Sequence, residues 1–499
     1  MKRNFNVPRQ TSFIKPEVQN PFSHRLNLSI VDKIKIAIMS VTIAPIRMIL
    51  AGLCLLLAWP LAAISVAFLS KEDKQKPLSG WRKSLTRGLL FMGRCLRFLC
   101  GFHKVRIIGQ MAPASEAPVL CVAPHSSFFD GFIMFVGDAL MSGLSKIEIT
   151  SIPFLGTFIE FTQPVLVRRE DPDSRANTIR EIRRRCQSGG LWPQIFIFPE
   201  GTCTNRSCLI TYKPGAFYPG VPVQPVCLRY PNRMDTVTWT WDGPSAFTLL
   251  WLTLCQFHNY LEIEFLPVYV PNEEEKKDAK LFANNVRDVM AKCLGCPVTD
   301  HTYDDCRLMV LASKLEMPME AGIVEFMKLH KKLGISYDQL NKYLEKFHSI
   351  AERKSKSITI NEFAEYLHVP QSSALEEVFA MYDRDGSGSI DFREYVIGLS
   401  LVSNPANTEN TLKMAFKLFQ KENDYISEED FNTVLHNAFK METEEIHKLF
   451  EKVDSNHDGE ISYDEFKNYA TKKPEYAKLF TTFQDQTVEN GQPDKTKSE

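Results

Sequence analysis

Two sets of side chains in this 499-residue chain have the types and spacing to do chemistry. The first is His125 to Asp130, read HSSFFD, followed some seventy residues later by Phe198 to Thr202, read FPEGT. A neutral imidazole, with a pKa near 6.5, is the side chain best poised to draw the proton from an attacking hydroxyl. An aspartate five residues beyond it can accept the other ring N–H, fix the tautomer and stabilise the imidazolium that forms. The second set is a pair of loops rich in carboxylates. Asp383 to Glu394, DRDGSGSIDFRE, places Asp383, Asp385, Ser387 and Asp391 at positions one, three, five and nine, with glycine at six and Glu394 at twelve. Asp454 to Glu465, DSNHDGEISYDE, repeats the pattern with Asp454, Asn456, Asp458, Gly459 and Glu465. This is the oxygen spacing of a calcium-binding EF-hand, in which the carbonyls of Ser389 and Glu460 supply position seven.

EF-hands pair, and two weaker repeats lie at a suitable period. Ala351 to Glu362 keeps Ile358 and Glu362 but lacks the early carboxylates, and Gln420 to Asp430 is one residue short and lacks the glycine. Four hands would form two pairs, each with one working site.

The elements that must hold the histidine are legible as short apolar runs alternating with helical stretches between about Val105 and Pro271, the pattern of an α/β domain. Val119 to Ala123, Val165 to Val167, Ile195 to Phe198 and Val223 to Leu228 read as strands. Between the second and third, Asp173 or Ser174 can cap a helix that runs to about Cys186 and stops at Gly189 and Gly190. Both chemical motifs then fall at strand ends, where open α/β sheets place ligands.

Ahead of this domain, Met48 to Leu69 runs 22 residues without a charge, enough to cross the roughly 20-residue span of a bilayer. It is too long and too far from the N-terminus for a cleaved signal peptide. Pro45, Arg47 and Pro60 also permit a kinked, re-entrant segment that never crosses. Basic residues flank both ends, so charge bias does not orient it. Trp81 to Phe102 carries Leu85, Leu89, Met92, Leu96 and Leu99 on one stripe and Arg82, Arg87, Arg94 and Arg97 off it, the composition of an interfacial helix.

With 59 basic and 60 acidic residues the chain has no global basic field, and nucleic acid is not expected as a partner. The twelve cysteines lack the short paired spacings of a zinc site and read as free thiols. Asn27 and Asn205 match Asn-x-Ser, the second inside the proposed active segment.

HSSFFD resembles the HxxxxD box of the glycerophospholipid acyltransferase family; PVLVRR with Arg169, FPEGT, and VPVQPV around Pro225 resemble its other three blocks, in order. FPEGTCTNRSCLITYKPGAF, HTYDDCRLM and the calcium-binding tail are similar to the lysophosphatidylcholine acyltransferase and lyso-PAF acetyltransferase group, over about residues 40–480. The resemblance implies an α/β acyltransferase domain, a mixed sheet flanked by helices, with an N-terminal membrane helix segment and an all-α C-terminal EF-hand domain. The expected division is a disordered arm at 1–33, an anchor at 34–70, a basic amphipathic helix at 71–103, the acyltransferase domain at 104–310, the EF-hand domain at 311–480 and a polar tail at 481–499. Acyl-CoA or acetyl-CoA would be the donor and a lysophospholipid the acceptor, with direct transfer and no covalent acyl-enzyme.

The resemblance implies that Glu200 and Gly201, with Thr202 beside them, hold the glycerol backbone. Arg169, Arg206 and Lys213 are candidates for the phosphate, arginine being suited to bidentate contact. Calcium would occupy the two intact loops. The final pentamer Lys495 to Glu499 is similar to an endoplasmic reticulum retrieval address, so the expected location is the endoplasmic reticulum membrane, with Golgi membrane and lipid droplets as alternatives. The competing readings are an inactive acyltransferase fold serving as a calcium-responsive membrane adaptor, and an acyltransferase for lysophosphatidic acid or another headgroup.

Overall fold

In the sequence VLCVA every residue is apolar and two are β-branched, and strand β2 (Val119–Ala123) is buried at all five positions. The computed structural model describes residues 18, 20–70, 72–167, 172–351, 356–367, 371, 373–402, 412, 413, 416, 425–439 and 441–472. The chain divides into two compact units, one over Lys15–Tyr303 and one from Asp304 onward.

In the first unit seven strands form one sheet: β1 (Val105–Ile108), β2, β3 (Ser142–Lys146), β4 (Val165–Val167), β5 (Ile195–Ile197), β6 (Val223–Arg229) and β7 (Leu261–Phe265), in the order β1-β7-β6-β2-β5-β3-β4. All neighbours are parallel except β6 and β7. Strands β2, β4, β5 and β6 lie where the apolar runs place them. β1, β3 and β7 are additional, and of these β7 (LEIEF) shows alternating burial that its own alternation could have signalled. Alternate residues of β2 feed two cores. Val119, Cys121 and Ala123 face Phe282, Val286 and Met290 of a helix over Ala279–Leu294, while Leu120 and Val122 join Phe129, Phe132 and Leu254.

Helices α1 (Ile30–Val41), α2 (Ile43–Val66) and α3 (Gly80–Leu99) belong to this unit. Among the described residues α2 alone is long and apolar enough to cross a membrane. One stripe of it, Ala44, Arg47, Cys54, Ala58, Ala62 and Ser65, is buried, while Ile46, Ile49, Leu53, Leu56 and Leu57 are exposed. Arg47, inside the apolar run, donates to the carbonyls of Leu254, Gln256 and Phe257. At the other end Arg82 caps the Ser65 carbonyl at 2.7 Å, and Trp59 packs on Phe154 with ring centroids 5.4 Å apart. On α3 the buried residues are Leu89, Leu90 and Gly93, a narrower face than the leucine stripe, and Arg94 is drawn to the carbonyls of Phe135 and Gly137.

Three expected boundaries change. The disordered arm over 1–33 is overturned from Asn20 onward: Phe22 is fully buried, Ser23 bridges Asp242, and a capping box between Ser29 and Asp32 starts α1. The helix after β4 begins at Pro172, ahead of the expected caps Asp173 and Ser174, because proline suits the first turn. The division near 310 falls at 303/304, since the helix Tyr303–Lys314 gives Leu308 and Ala312 to the C-terminal core.

In the second unit the paired hands form as expected. β8 (Ser357–Thr359) pairs antiparallel with β9 (Ser389–Asp391), Ile358 opposite Ile390. β10 (Tyr425–Ser427) pairs with β11 (Glu460–Ser462), Ile426 opposite Ile461. All four isoleucines are fully buried. Each degenerate loop thus backs one carboxylate-rich loop. Residues 481–499, with the terminal pentamer, lie outside the described residues.

Candidate active site

Parallel strands deliver their C-terminal ends to one edge, and β2, β5 and β6 are neighbours. Beyond β2 comes His125, beyond β5 come Phe198 and Glu200, and beyond β6 comes Tyr230. His125 Nδ1 lies 2.9 Å from Asp130 Oδ2. The imidazole stacks on Phe198, with ring centroids 4.1 Å apart and 12° between planes. Its side chain is 24% exposed, whereas that of Asp130 is fully buried.

Asp130 is held by four donors. Oδ2 also accepts from the backbone N–H groups of Ser126 at 2.7 Å and Ser127 at 2.8 Å, and Oδ1 accepts from the Tyr230 hydroxyl at 2.6 Å. Ser127 and Asp130 form a capping box for the 3₁₀ helix Phe128–Phe135, so local backbone chemistry places the carboxylate under the histidine. Burial, with the charge of Asp130 adding to it, raises the Tyr230 pKa, which keeps its hydroxyl a donor. An aspartate with three donors on one oxygen and a fourth on the other is held in place. It fixes Nδ1 as the protonated nitrogen and leaves Nε2 as the basic one.

Of the residues expected to hold substrate, Glu200 takes a different place. It is fully buried, and Oε2 accepts from the His125 backbone N–H at 2.7 Å. Oε1 is buried without a hydrogen bond of normal geometry. Burial pushes the carboxyl up to about 8; the His125 and Ile210 N–H groups oppose the rise, and Asp130 adds to it. Glu200 therefore supports the histidine loop from behind rather than presenting itself to a ligand. Gly201 adopts φ +69°, and an added Cβ would lie 2.8 Å from Lys213 Nζ, so FPEGT and Lys213 are in contact. Thr202 accepts from Trp241 Nε1 at 2.9 Å.

Arg206 is also placed differently from the expected phosphate ligand. It pairs with Asp235 at 2.5 Å and lies 5.4 Å over the Tyr230 ring. Burial works to raise the Asp235 pKa, but Arg206, Thr238 and His24 outweigh it and leave the carboxyl below its ordinary value. A guanidinium already neutralised by a half-buried carboxylate is a brace behind the site. Lys213 is exposed, with Nζ 4.9 Å from the Tyr303 ring. Arg169 lies outside the described residues. Asn205 spends its side-chain amide on the carbonyls of Asn20 and Ser23, tying the N-terminal segment to this loop. Tyr230, Trp239 and Trp241 were not expected; the first could have been found as the residue following a buried strand.

In the loop Asp383–Glu394, ligand oxygens of Asp383, Asp385 and Glu394 all lie within 4.8 Å of one another. Burial and the charges of Asp391 and Asp385 push the Glu394 carboxyl up to about 7. Gly388 takes φ +82°, and Asp391 caps the helix that follows through the Glu394 N–H at 2.8 Å. The Ser387 hydroxyl donates to the Ser389 carbonyl at 2.9 Å. In the loop Asp454–Glu465, Asp454 is buried with Oδ1 unpartnered, and Asn456 donates to Asp458 at 2.8 Å. The Glu460 N–H donates to Asp458 at 2.9 Å. Crowded carboxylates in one loop and an orphaned buried oxygen in the other both fit a hard cation.

Residues 104–229 match the acyltransferase family model, 375–397 an EF hand and 409–471 an EF-hand domain pair. The chain is an acyltransferase, an enzyme with an α/β catalytic domain and a C-terminal EF-hand region. It is 52% identical to lysophosphatidylcholine acyltransferase 2 of Homo sapiens, over 96% of this chain and 88% of that protein. It is 51% identical to the same enzyme of Danio rerio, over 96% and 91%, and 46% identical to lysophosphatidylcholine acyltransferase 1 of Rattus norvegicus, over 95% and 89%. The chain belongs to the lysophosphatidylcholine acyltransferase family.

Proposed function

We propose that this enzyme transfers an acyl group from acyl-CoA to the free hydroxyl of lysophosphatidylcholine, as the names of its relatives suggest, and that acetyl-CoA with an alkyl analogue is a second donor and acceptor pair. His125 Nε2 takes the proton of the acceptor hydroxyl as the oxygen attacks the thioester carbonyl. Nδ1–H stays on Asp130, which stabilises the imidazolium until that proton passes to the departing thiolate of coenzyme A. No covalent acyl-enzyme is needed. The observation that carries this reading is the four-donor cradle around Asp130, which leaves the histidine a single basic nitrogen on a partly exposed ring. An intact pair also favours an enzyme over an adaptor with a dead acyltransferase fold. The test is thioester-dependent acylation by the wild type beside His125→Ala, with lysophosphatidylcholine, lysophosphatidylethanolamine and lysophosphatidic acid as acceptors. Loss of most turnover in the variant is expected, and equal turnover would overturn the proposal.

Gly201 and Lys213, close to one another at the motif, are proposed to meet the glycerol and the phosphate, and Arg169 remains a proposed phosphate ligand. The enzyme works at a membrane, for which the endoplasmic reticulum is proposed. A 24-residue helix is about 36 Å long, and a crossing would carry one end some 30 Å away from a catalytic unit on one side. Contacts to the same unit at Arg47, Trp59 and Ser65 favour the re-entrant alternative, with the exposed leucines facing lipid. Calcium would be held by Asp383, Asp385, Ser387, Asp391 and Glu394, and by Asp454, Asn456, Asp458 and Glu465, with the Ser389 and Glu460 carbonyls. There it would neutralise the crowded carboxylates and regulate activity or membrane tethering. Activity and membrane attachment unchanged by chelator and by Glu394→Gln with Glu465→Gln would overturn that role.

A further inference from the structure

Two tryptophans flank the catalytic histidine and leave their rings in the open. The segment 235–242 is stitched to the reacting loop. The Trp239 N–H donates to the Ser126 carbonyl at 2.7 Å, one residue past His125, and Trp241 Nε1 donates to Thr202. The Thr204 N–H donates in turn to the His125 carbonyl at 2.8 Å. Thr238 and Thr240 are buried, whereas Trp239 is 40% and Trp241 47% exposed. That alternation leaves both indoles on the solvent side of the segment. Phe128, also partly exposed and three residues past His125, meets Trp239 edge to face at 5.9 Å, and Tyr303 lies 6.2 Å from Trp241.

We propose that Trp239 and Trp241 form a subsite for the quaternary ammonium of a choline headgroup, with Lys213 placed for the adjoining phosphate. This rests on the reading of the enzyme as one that acylates choline lysophospholipids. A trimethylammonium cannot donate hydrogen bonds, so carboxylate or carbonyl acceptors recognise it poorly, while the negative face of an indole attracts its diffuse charge. The arrangement has the order of the headgroup. Lys213 Nζ is 4.9 Å from the Tyr303 ring, Tyr303 neighbours Trp241, and the aromatic faces lie beyond. A cation followed by aromatic faces complements a phosphate followed by an ammonium. A lysophosphatidic acid would use the lysine alone, and a primary ammonium would lose hydrogen bonds to water that an indole face cannot return.

The experiment uses the full chain in phosphatidylcholine-free detergent micelles, with acyl-CoA and three acceptors: lysophosphatidylcholine, its uncharged 3,3-dimethylbutyl analogue, and lysophosphatidic acid. Wild type should prefer the choline lipid over its carbon isostere by on the order of tenfold in kcat/KM, the range open to a cation over aromatic faces. Trp241→Ala and Trp239→Ala should erase that preference by raising KM for lysophosphatidylcholine with kcat little changed. Trp241→Phe should restore part of it, and rates on lysophosphatidic acid should not fall. The proposal is overturned if wild type treats choline lipid and isostere alike, or if the variants lose activity equally on all three acceptors, as a role in membrane anchoring or folding would produce. A wild type that acylates lysophosphatidic acid but neither of the other lipids would instead overturn the choline reading of the enzyme.

Discussion

Two buried carboxylates in this chain are held in opposite ways. Asp130 is surrounded by donors: two backbone N–H groups, an imidazole and a phenol converge on its two oxygens. Glu394 clusters with Asp383 and Asp385, and burial with the charges of Asp391 and Asp385 pushes it up to about 7 although the Asp385 and Asp391 N–H groups donate to it. A carboxylate satisfied by the protein keeps its geometry whether or not a ligand is present, as an acid orienting a base must. A buried carboxylate whose two backbone donors are outweighed by neighbouring carboxylates stores repulsion that a cation relieves, which suits a site that must respond to an ion. The other calcium loop falls between them. Glu465 takes hydrogen bonds from Ser455, Asn456 and Ser462, and although burial works to raise it, those bonds bring its carboxyl down to about 2.

The largest effect that tests this contrast is at the catalytic pair. Asp130→Asn should cost on the order of 10² to 10⁴-fold in kcat, close to His125→Ala, because a neutral amide no longer stabilises the imidazolium and no longer enforces the Nδ1–H tautomer. Steady-state kinetics at saturating acceptor would show it. A loss of only a few fold would mean that the buried acid is scaffolding.

Glu200 offers the next largest effect, with its own pH signature. Its carboxyl is raised from 4.5 to about 8, so the neutral form is favoured in the folded protein and its contribution to stability is lost as pH rises through about 8. Glu200→Gln, neutral at every pH and still able to accept from His125, should keep activity at neutral pH and remove a fall in rate above about pH 8. Glu200→Ala should lose activity at all pH values. Rate–pH profiles of the three proteins decide the matter. A smaller effect is expected from Tyr230→Phe, which removes one donor of four and should lower kcat about tenfold with KM unchanged.

The smallest effects separate the two calcium loops. Glu394 lies above its ordinary 4.5, so in chelator its loop should lose stability as pH rises from about 4.5 through about 7. Glu465 lies below 4.5, so its contribution is already complete above 4.5 and is lost only as pH falls toward about 2. Hydrogen exchange of the full chain in chelator between about pH 5 and pH 8 should show protection falling at Asp383–Glu394 and unchanged at Asp454–Glu465. Glu394→Gln should flatten that response and Glu465→Gln should leave it as it is. Identical behaviour of the two loops would break the contrast.

What could be read directly from residue order is chemistry confined within a dozen residues. Asp130 bonding back to Ser127 is a capping box, and the calcium loops are backbone turns whose oxygens converge through spacing and glycines at positive φ. Strand β2 was legible because it is apolar at every position, and the pairing of hands because each loop carries one isoleucine that must be buried. The polar, proline-bearing segment Asn20–Arg25 has no period that would signal order, yet Asn205 and Asp242 supply it with partners about two hundred residues away.

The sequence by itself determined which groups could react and which loops could hold an ion, since those depend on neighbours along the chain. Only the tertiary structure decided that Glu200 turns inward beneath His125, that Arg206 is spent on Asp235, that Tyr230 completes the hold on Asp130, and that α2 is tied at both ends to other parts of its own unit. Those outcomes depend on parallel strands ending side by side and on charges meeting across long closed loops. Residue order leaves such meetings open until burial selects which partner each polar group must find.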